Sequence, residues 1–204
     1  MTPISFKASF IKNANIREFI GSDKTQDKEI AIVKLDRNDM FDKKAMASTA
    51  NNWGKYGNNY AYGVVDHMVK NTHYNKYETD HYIVATKQKK DFAHLDSKKI
   101  LGVALFTEKK EDINELKWLQ VDPKTKYRKN CGHRKYAGVG TAIVEHVKTI
   151  SRKPFELFAD PDAINFYQKL GFIKKEHSNF MTYTPPSNLK RICKDILSKF
   201  YPFG

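Results

Sequence analysis

The stretch RKYAGVGTAIVEHV, Arg134 to Val147, sets how the rest of the chain reads. A basic pair and two close glycines stand directly before an apolar pattern of helical period. Ile143, Val147 and Ile150 fall at the i, i+4, i+7 spacing of a buried stripe, which predicts a helix beginning just after Gly138. Small residues at such a start leave backbone N–H groups uncovered at the positive end of the helix. Arg134, Lys135 and the Thr141 hydroxyl stand alongside, a set that suits a pyrophosphate. Two common nucleotide loops are excluded. Gly138-Val139-Gly140 lacks the third glycine of the dinucleotide fingerprint, and no Gly-Lys-Ser/Thr ending follows.

Outward from this point the chain alternates between strand and helix patterns. Upstream, IAIVKL (30–35), HYIVAT (81–86), KILGVALF (99–106) and ELKWLQV (115–121) predict strands, while GSDKTQDKE (21–29) reads as turn-rich. Residues 39–75 read as helices broken by the polar loop NNWGKYGNNY, with Val64, Val65, Met68 and Val69 at helical spacing. Downstream, PFELFA (154–159) predicts a strand and DAINFYQKL (162–170) a helix stopped by Gly171. Short strands GFIKKE and NFMTYT follow. Behind Pro185-Pro186, SNLKRICKDILSKF (187–200) predicts a C-terminal amphipathic helix, capped by Ser187, on Leu189, Ile192, Cys193, Ile196 and Phe200. This order predicts an α/β fold, one mixed sheet flanked by helices, in a single domain spanning 1–204. The step from strand to helix across 121–138 is where an anionic ligand would sit.

Composition narrows the function classes. An apolar content of 40% against 29% charged is a globular balance, not a disordered one. The sequence has no apolar run of membrane-spanning length and its start lacks a signal-peptide pattern, so the expectation is a cytoplasmic protein. Cys131 and Cys193 have no paired spacing, and the seven histidines show no ligand spacing; no metal is expected. Cys131, beside Gly132 and His133, could instead form an activated thiol pair. The net charge of +13 fits either attraction to a polyanion or a lysine-coated solvated surface. Arginine, the residue suited to bidentate phosphate and base recognition, occurs only six times and forms no strip, which favours the solvated surface.

Three motifs in order then carry a resemblance. KYAGVGTA resembles the [QR]-x-x-G-x-[GA] pyrophosphate loop of the GNAT superfamily of acyl-CoA-dependent N-acyltransferases, with Lys135 in the first position. LQVDP (119–123) is similar to that family's fourth strand and its exit, and ADPDAINFYQKLGF (159–172) to its A-x-x-FY-x-K-x-GF helix. The likeness covers Glu115 to Phe172. It implies a mostly antiparallel central sheet, acetyl-CoA as acyl donor, and transfer of the acetyl group to a primary amine by direct attack in a ternary complex. Lys at 135 keeps the charge of the usual residue without its fork. The basic loop between Val121 and Lys135 is longer than the family's, and either covers the phosphorylated adenosine end or is simply solvated.

By the resemblance, Leu119 and Val121 hold the pantetheine arm through their backbones. Arg134, Lys135, Ala137, Gly138, Gly140 and Thr141 seat the pyrophosphate. Tyr167 is the acid for the departing thiolate, Glu115 the general base, and Asn165 a partner of the pantetheine amides. Asp160 stands where the family often has an asparagine. Each position also has a purely structural reading, since Ala163, Phe166, Tyr167 and Leu170 form a core stripe. The acceptor stays open among tRNA, a protein and a small amine. The Asn- and Tyr-rich residues 51–75, with Trp53, are expected to shape its groove. The C-terminal helix could lie on an anionic membrane, pack on its own domain, or pack on a second subunit of a homodimer. The alternative reading is a basic nucleic-acid- or membrane-surface-binding module that keeps the fold without chemistry.

Overall fold

The computed structural model describes residues 7–20, 24–54, 60–70, 77–123 and 135–186. The expected C-terminal helix, Cys131, Cys193, Arg134 and the basic loop before it lie outside these residues. Nine strands form one sheet: β1 (Ser9–Ile20), β2 (Lys24–Leu35), β3 (Glu78–Thr86), β4 (Ile100–Lys109), β5 (Asn114–Val121), β6 (Tyr136–Ala137), β7 (Phe155–Phe158), β8 (Ile173–Lys174) and β9 (Phe180–Tyr183). Their order across the sheet is β6-β1-β2-β3-β4-β5-β7-β9-β8. Every neighbouring pair is antiparallel except β5 with β7, so the sheet is mixed and mostly antiparallel, as expected.

Helices α1 (Met40–Gly54) and α2 (Tyr60–Lys70) cover one face; α3 (Val139–Ile150) and the short α4 (Ile164–Lys169) cover the other. Strand β4 explains why two layers are needed. From Ile100 to Thr107 every residue is buried, because helices lie on both sides of it. Ala104 and Phe106 join the core under α3, while Val103 and Leu105 join the core under α1 and α2. On α3, Ile143 and Val147 are fully buried and Ile150 packs at the margin, the stripe read from the sequence. A side chain at Gly102 would have its Cβ 2.7 Å from Ile143 Cδ1 and 2.9 Å from Val139 Cγ1, so β4 lets the first turn of α3 approach closely.

Two expectations change. The segment 21–29, read as turn-rich, belongs mostly to β2, which starts at Lys24 and pairs with an unforeseen β1 from Lys24↔Ile20 to Lys34↔Ser9. The asparagines of β1 and the charges of β2 mask a long hairpin whose ends are exposed. Trp53, expected at an acceptor groove, is buried in the core of α1 and α2. Among the described residues no helix is long and apolar enough to cross a membrane.

Two buried residues make stability depend on pH, in opposite directions. His146, on the buried face of α3, is 4% exposed, and its Nδ1 has no hydrogen-bond partner among the described residues. Burial pushes its pKa down to about 4, and the charges of Lys12 and His81 act in the same direction. The fold therefore holds the neutral ring. Its contribution is complete above the unfolded value of about 6.5 and is lost as pH falls toward 4, worth about 3 kcal/mol over that span. Asp42 acts with the opposite sign: burial lifts its carboxyl to about 6, so its ionisation costs stability as pH rises from the unfolded value. Comparing melting temperatures of wild type and His146→Leu between pH 7 and pH 4 isolates the first effect. The gap between them is expected to shift in favour of the variant as the solution is acidified; a constant gap would contradict the assignment.

Candidate active site

The site begins where a ladder stops. β5 pairs with β4 along its length but with β7 only at Asn114↔Phe155 and Glu115↔Glu156. Beyond Glu115 the two parallel strands part. Asn114 fastens the closed end. Its amide N–H donates to Ser151 Oγ at 3.1 Å, its side-chain oxygen accepts from Lys109 N at 2.9 Å, and its backbone N–H reaches Pro154 O. The open part of β5 also carries a β-bulge. The register steps from Phe106↔Leu116 to Leu105↔Trp118, leaving Lys117 as the extra residue. Past the bulge, Leu119 and Val121 pack on the α3 and α4 side, while Trp118 packs on the α2 side.

The orientation of this open edge follows from one hydrogen bond. Asp122 donates its N–H to Leu101 O of β4 at 2.8 Å. Backbone groups alternate between the two edges of a strand, so those of Val121 and Leu119 point away from β4, into the gap. Among the described residues no strand pairs with them there.

The second wall is the start of α3. Gly138 sits at φ +96°, a left-handed conformation that glycine adopts without strain, and among the described residues no side chain caps the helix. The lead-in is sewn to the sheet edge: Ala137 and Tyr136 pair with Arg17 and Glu18, and Phe19 N donates to Lys135 O at 2.9 Å. The first-turn N–H groups, at Val139, Gly140 and Thr141, thus face out at a fixed place. A Cβ on Gly140 would lie 3.2 Å from Phe166 Cζ and 3.6 Å from Val121 Cγ1. The start of α3, the end of β5 and α4 therefore meet at one point. Lys135 Nζ lies 5.6 Å and Lys87 Nζ 5.7 Å from the centre of the same Tyr136 ring. Lys87, at the end of β3, carried no signal in the sequence.

Tyr167 is 8% exposed, edge-on to Phe166 and Phe172. Burial raises its phenol well above the ordinary value, and the nearby Asp160 and Tyr60 push it further up. It holds its proton at any working pH. Tyr60 Oη donates to Asp160 Oδ1 at 2.8 Å, and Ala61 N donates to Gln120 Oε1 at 2.7 Å. The first residues of α2 are thus tied to both walls of the gap. Neither tie was legible in the sequence, because each joins residues about 60 to 100 positions apart.

The remaining expected residues are less central. Glu115 lies at the closed end, with its carboxylate 3.2 Å from Lys109 Nζ. Asn165 is exposed and, two residues before Tyr167, lies on the other side of α4. Thr141 is half-buried in the first turn of α3. Among the described residues no group of His, Cys, Asp or Glu side chains could hold a metal ion.

The geometry defines a class of site: a strand edge open to an extended ligand, next to a helix start open to an anion. No protein-family model matches the chain, and no curated protein matches it. Among solved structures, the chain is similar to a Desulfovibrio desulfuricans protein assigned to the GNAT family of acetyltransferases. The identity is 14%, over 75% of this chain and 94% of that one, with a TM-score of 0.48. It is also similar to Tetrahymena GCN5, at 16% identity over 72% and 91% of the two chains, with a TM-score of 0.44.

The two loop glycines should respond differently to alanine. At Gly138 the added Cβ has room, but the left-handed backbone is strained, at a cost of about 1 kcal/mol. At Gly140 the backbone is helical and the squeeze falls on the tip of a movable ring, so the gain in helix propensity roughly offsets it. Thermal melts are expected to show Gly138→Ala lowered by about 2–4 °C and Gly140→Ala close to wild type. The reverse order would mean that the backbone at 138 is not left-handed in solution.

Proposed function

We propose that the chain is an N-acetyltransferase that moves an acetyl group from acetyl-CoA to a primary amine, with both substrates bound together. The observation that carries this reading is the open edge of β5: backbone groups of Leu119 and Val121 point into a gap that ends at the start of α3. An extended amide chain ending in a pyrophosphate has this arrangement of needs, with strand-like hydrogen bonding along its length and an anion seat at one end. A Cβ at Gly140 would crowd the meeting point of the two walls.

When bound, acetyl-CoA supplies a thioester whose acyl carbon accepts the amine and whose sulfur leaves as a thiolate. The residues of the chain do the rest. Leu119 and Val121 hold the arm and offer a backbone N–H toward the thioester oxygen, where negative charge develops. The first turn of α3, with Lys135 and Lys87, balances the pyrophosphate charge. Tyr167, protonated in its buried site, gives its proton to the sulfur. Glu115, paired with Lys109, takes the proton of the incoming ammonium through water.

Titration calorimetry of the full chain with acetyl-CoA is expected to show 1:1 binding, lost when Gly140→Leu fills the junction. Absence of binding by the wild type would end the proposal. With an accepted amine, Tyr167→Phe is expected to lower kcat by about 10²–10⁴-fold while acetyl-CoA affinity stays near wild type. Glu115→Gln is expected to lower kcat by about 10²-fold with acetyl-CoA affinity near wild type; an unchanged kcat would remove Glu115 from the mechanism.

A further inference from the structure

Beyond β5, the sheet has a stretch of face that no described helix covers. On β7, Phe155 and Leu157 are buried toward α3 and α4, so Glu156 and Phe158 face the opposite side, the side of α2. Strand β9 brings Phe180 directly across from Phe158, and the two rings pack edge to face with centroids 5.3 Å apart. Ile173 of β8 lies opposite Thr182 of β9, and Thr182 opposite Glu156, on the same face. Phe158 is 66% exposed, Phe180 41% and Ile173 74%. Phe158 and Phe180 thus form an exposed aromatic pair, bordered by Thr182 and the Lys175–Glu156 ion pair, with Ile173 beyond them.

Its position gives it a role that rests on the function proposed above. Phe158 belongs to the wall of the gap from which β5 has parted, two residues beyond the last paired residue, Glu156. Across the gap on the same side stand Trp118 and the start of α2, packed so closely that a Cβ on Gly63 would lie 2.8 Å from the indole. An arm bound along β5 with its phosphates at α3 leaves the α2 side as the approach for a second substrate. Two carboxylates beside that approach already have partners. Lys175 Nζ is 2.5 Å from Glu156 Oε2 and 5.7 Å from the centre of the Phe180 ring, and Asp160 accepts from Tyr60. A polycation would find the Glu156 and Asp160 carboxylates taken; an apolar group would find Phe158 and Phe180.

We infer that this face binds the acceptor, and that the acceptor is a primary amine borne on a bulky apolar or aromatic group. The group covers the Phe158–Phe180 wall while the amine enters the gap. There the nitrogen gains the acetyl group and loses a proton, and the departing thiolate gains one. The specificity-determining residues are Phe158 and Phe180; they do not touch the reacting atoms.

The test uses the full chain with saturating acetyl-CoA and measures thiol release with L-phenylalaninamide, glycinamide, L-lysinamide and spermidine. The expected result is a kcat/KM for phenylalaninamide at least about tenfold above the other three, the range a well-fitted apolar contact supplies. The double variant Phe158→Ala, Phe180→Ala should bring phenylalaninamide and glycinamide to within about twofold of each other, with acetyl-CoA affinity unchanged by calorimetry. Equal use of glycinamide, faster use of spermidine, or no transfer to phenylalaninamide by a chain that binds acetyl-CoA would each overturn the inference. So would a double variant that melts several degrees lower with the rate ratio unaltered, because the wall would then be covered by another part of the chain or by a second copy. Failure to bind acetyl-CoA at all would instead strike the proposed function, and this inference with it.

Discussion

A parallel strand pair normally continues for as long as its hydrogen bonds can form, because unpaired backbone groups at a strand edge are an open template for other chains. Here the pairing of β5 with β7 stops after Glu115 and Glu156. Two features hold the strands apart beyond that point. The buried amide of Asn114 fixes the closed end to Ser151 and Lys109, and the bulge at Lys117 turns β5 away while it remains paired to β4. The gap, the placement of α3 at its far end and the exposure of the Phe158 wall all depend on that early stop.

The opposite end of the gap is built from small residues and long-range ties. Gly102 lets α3 sit directly on β4, Gly140 lets its first turn meet Val121 and Phe166, and Gly63 lets α2 lie on Trp118. Each glycine removes a side chain where two elements approach. The hydrogen bonds from Tyr60 to Asp160 and from Ala61 to Gln120 then tie α2 to the two diverging walls. These contacts hold α2 against both walls. Tyr167, buried beside it, lies where burial and the adjacent Asp160 both keep the phenol protonated.

Charge is distributed unevenly along the chain. The segment KTKYRKNCGHR at 124–134 carries five lysines and arginines and no acid, just ahead of β6 and α3 in the sequence. The +13 of the whole chain is therefore a poor guide to the surface of the sheet. On the Phe158 side Lys175 and Glu156 pair with each other, beside the exposed rings of Phe158 and Phe180.

Local pattern in the sequence was enough for the strongly periodic elements and their order. The stripe on α3, the continuous run of β4, the glycine start at 138–140 and the tyrosine of α4 were all readable, because each is encoded within a dozen neighbouring residues. The strand from Glu115 to Val121 was readable in the same way, as a strand. That β5 leaves β7 after two residue pairs was not, because a strand reads the same whether or not its edge is occupied. The meetings of Lys87 with Tyr136 and of Tyr60 with Asp160 were equally hidden, since they depend on how distant elements cross. Trp53 is core and Phe158 is exposed, yet both are aromatic residues in ordinary contexts. Only the packing of the helices on the sheet settles which of them is covered.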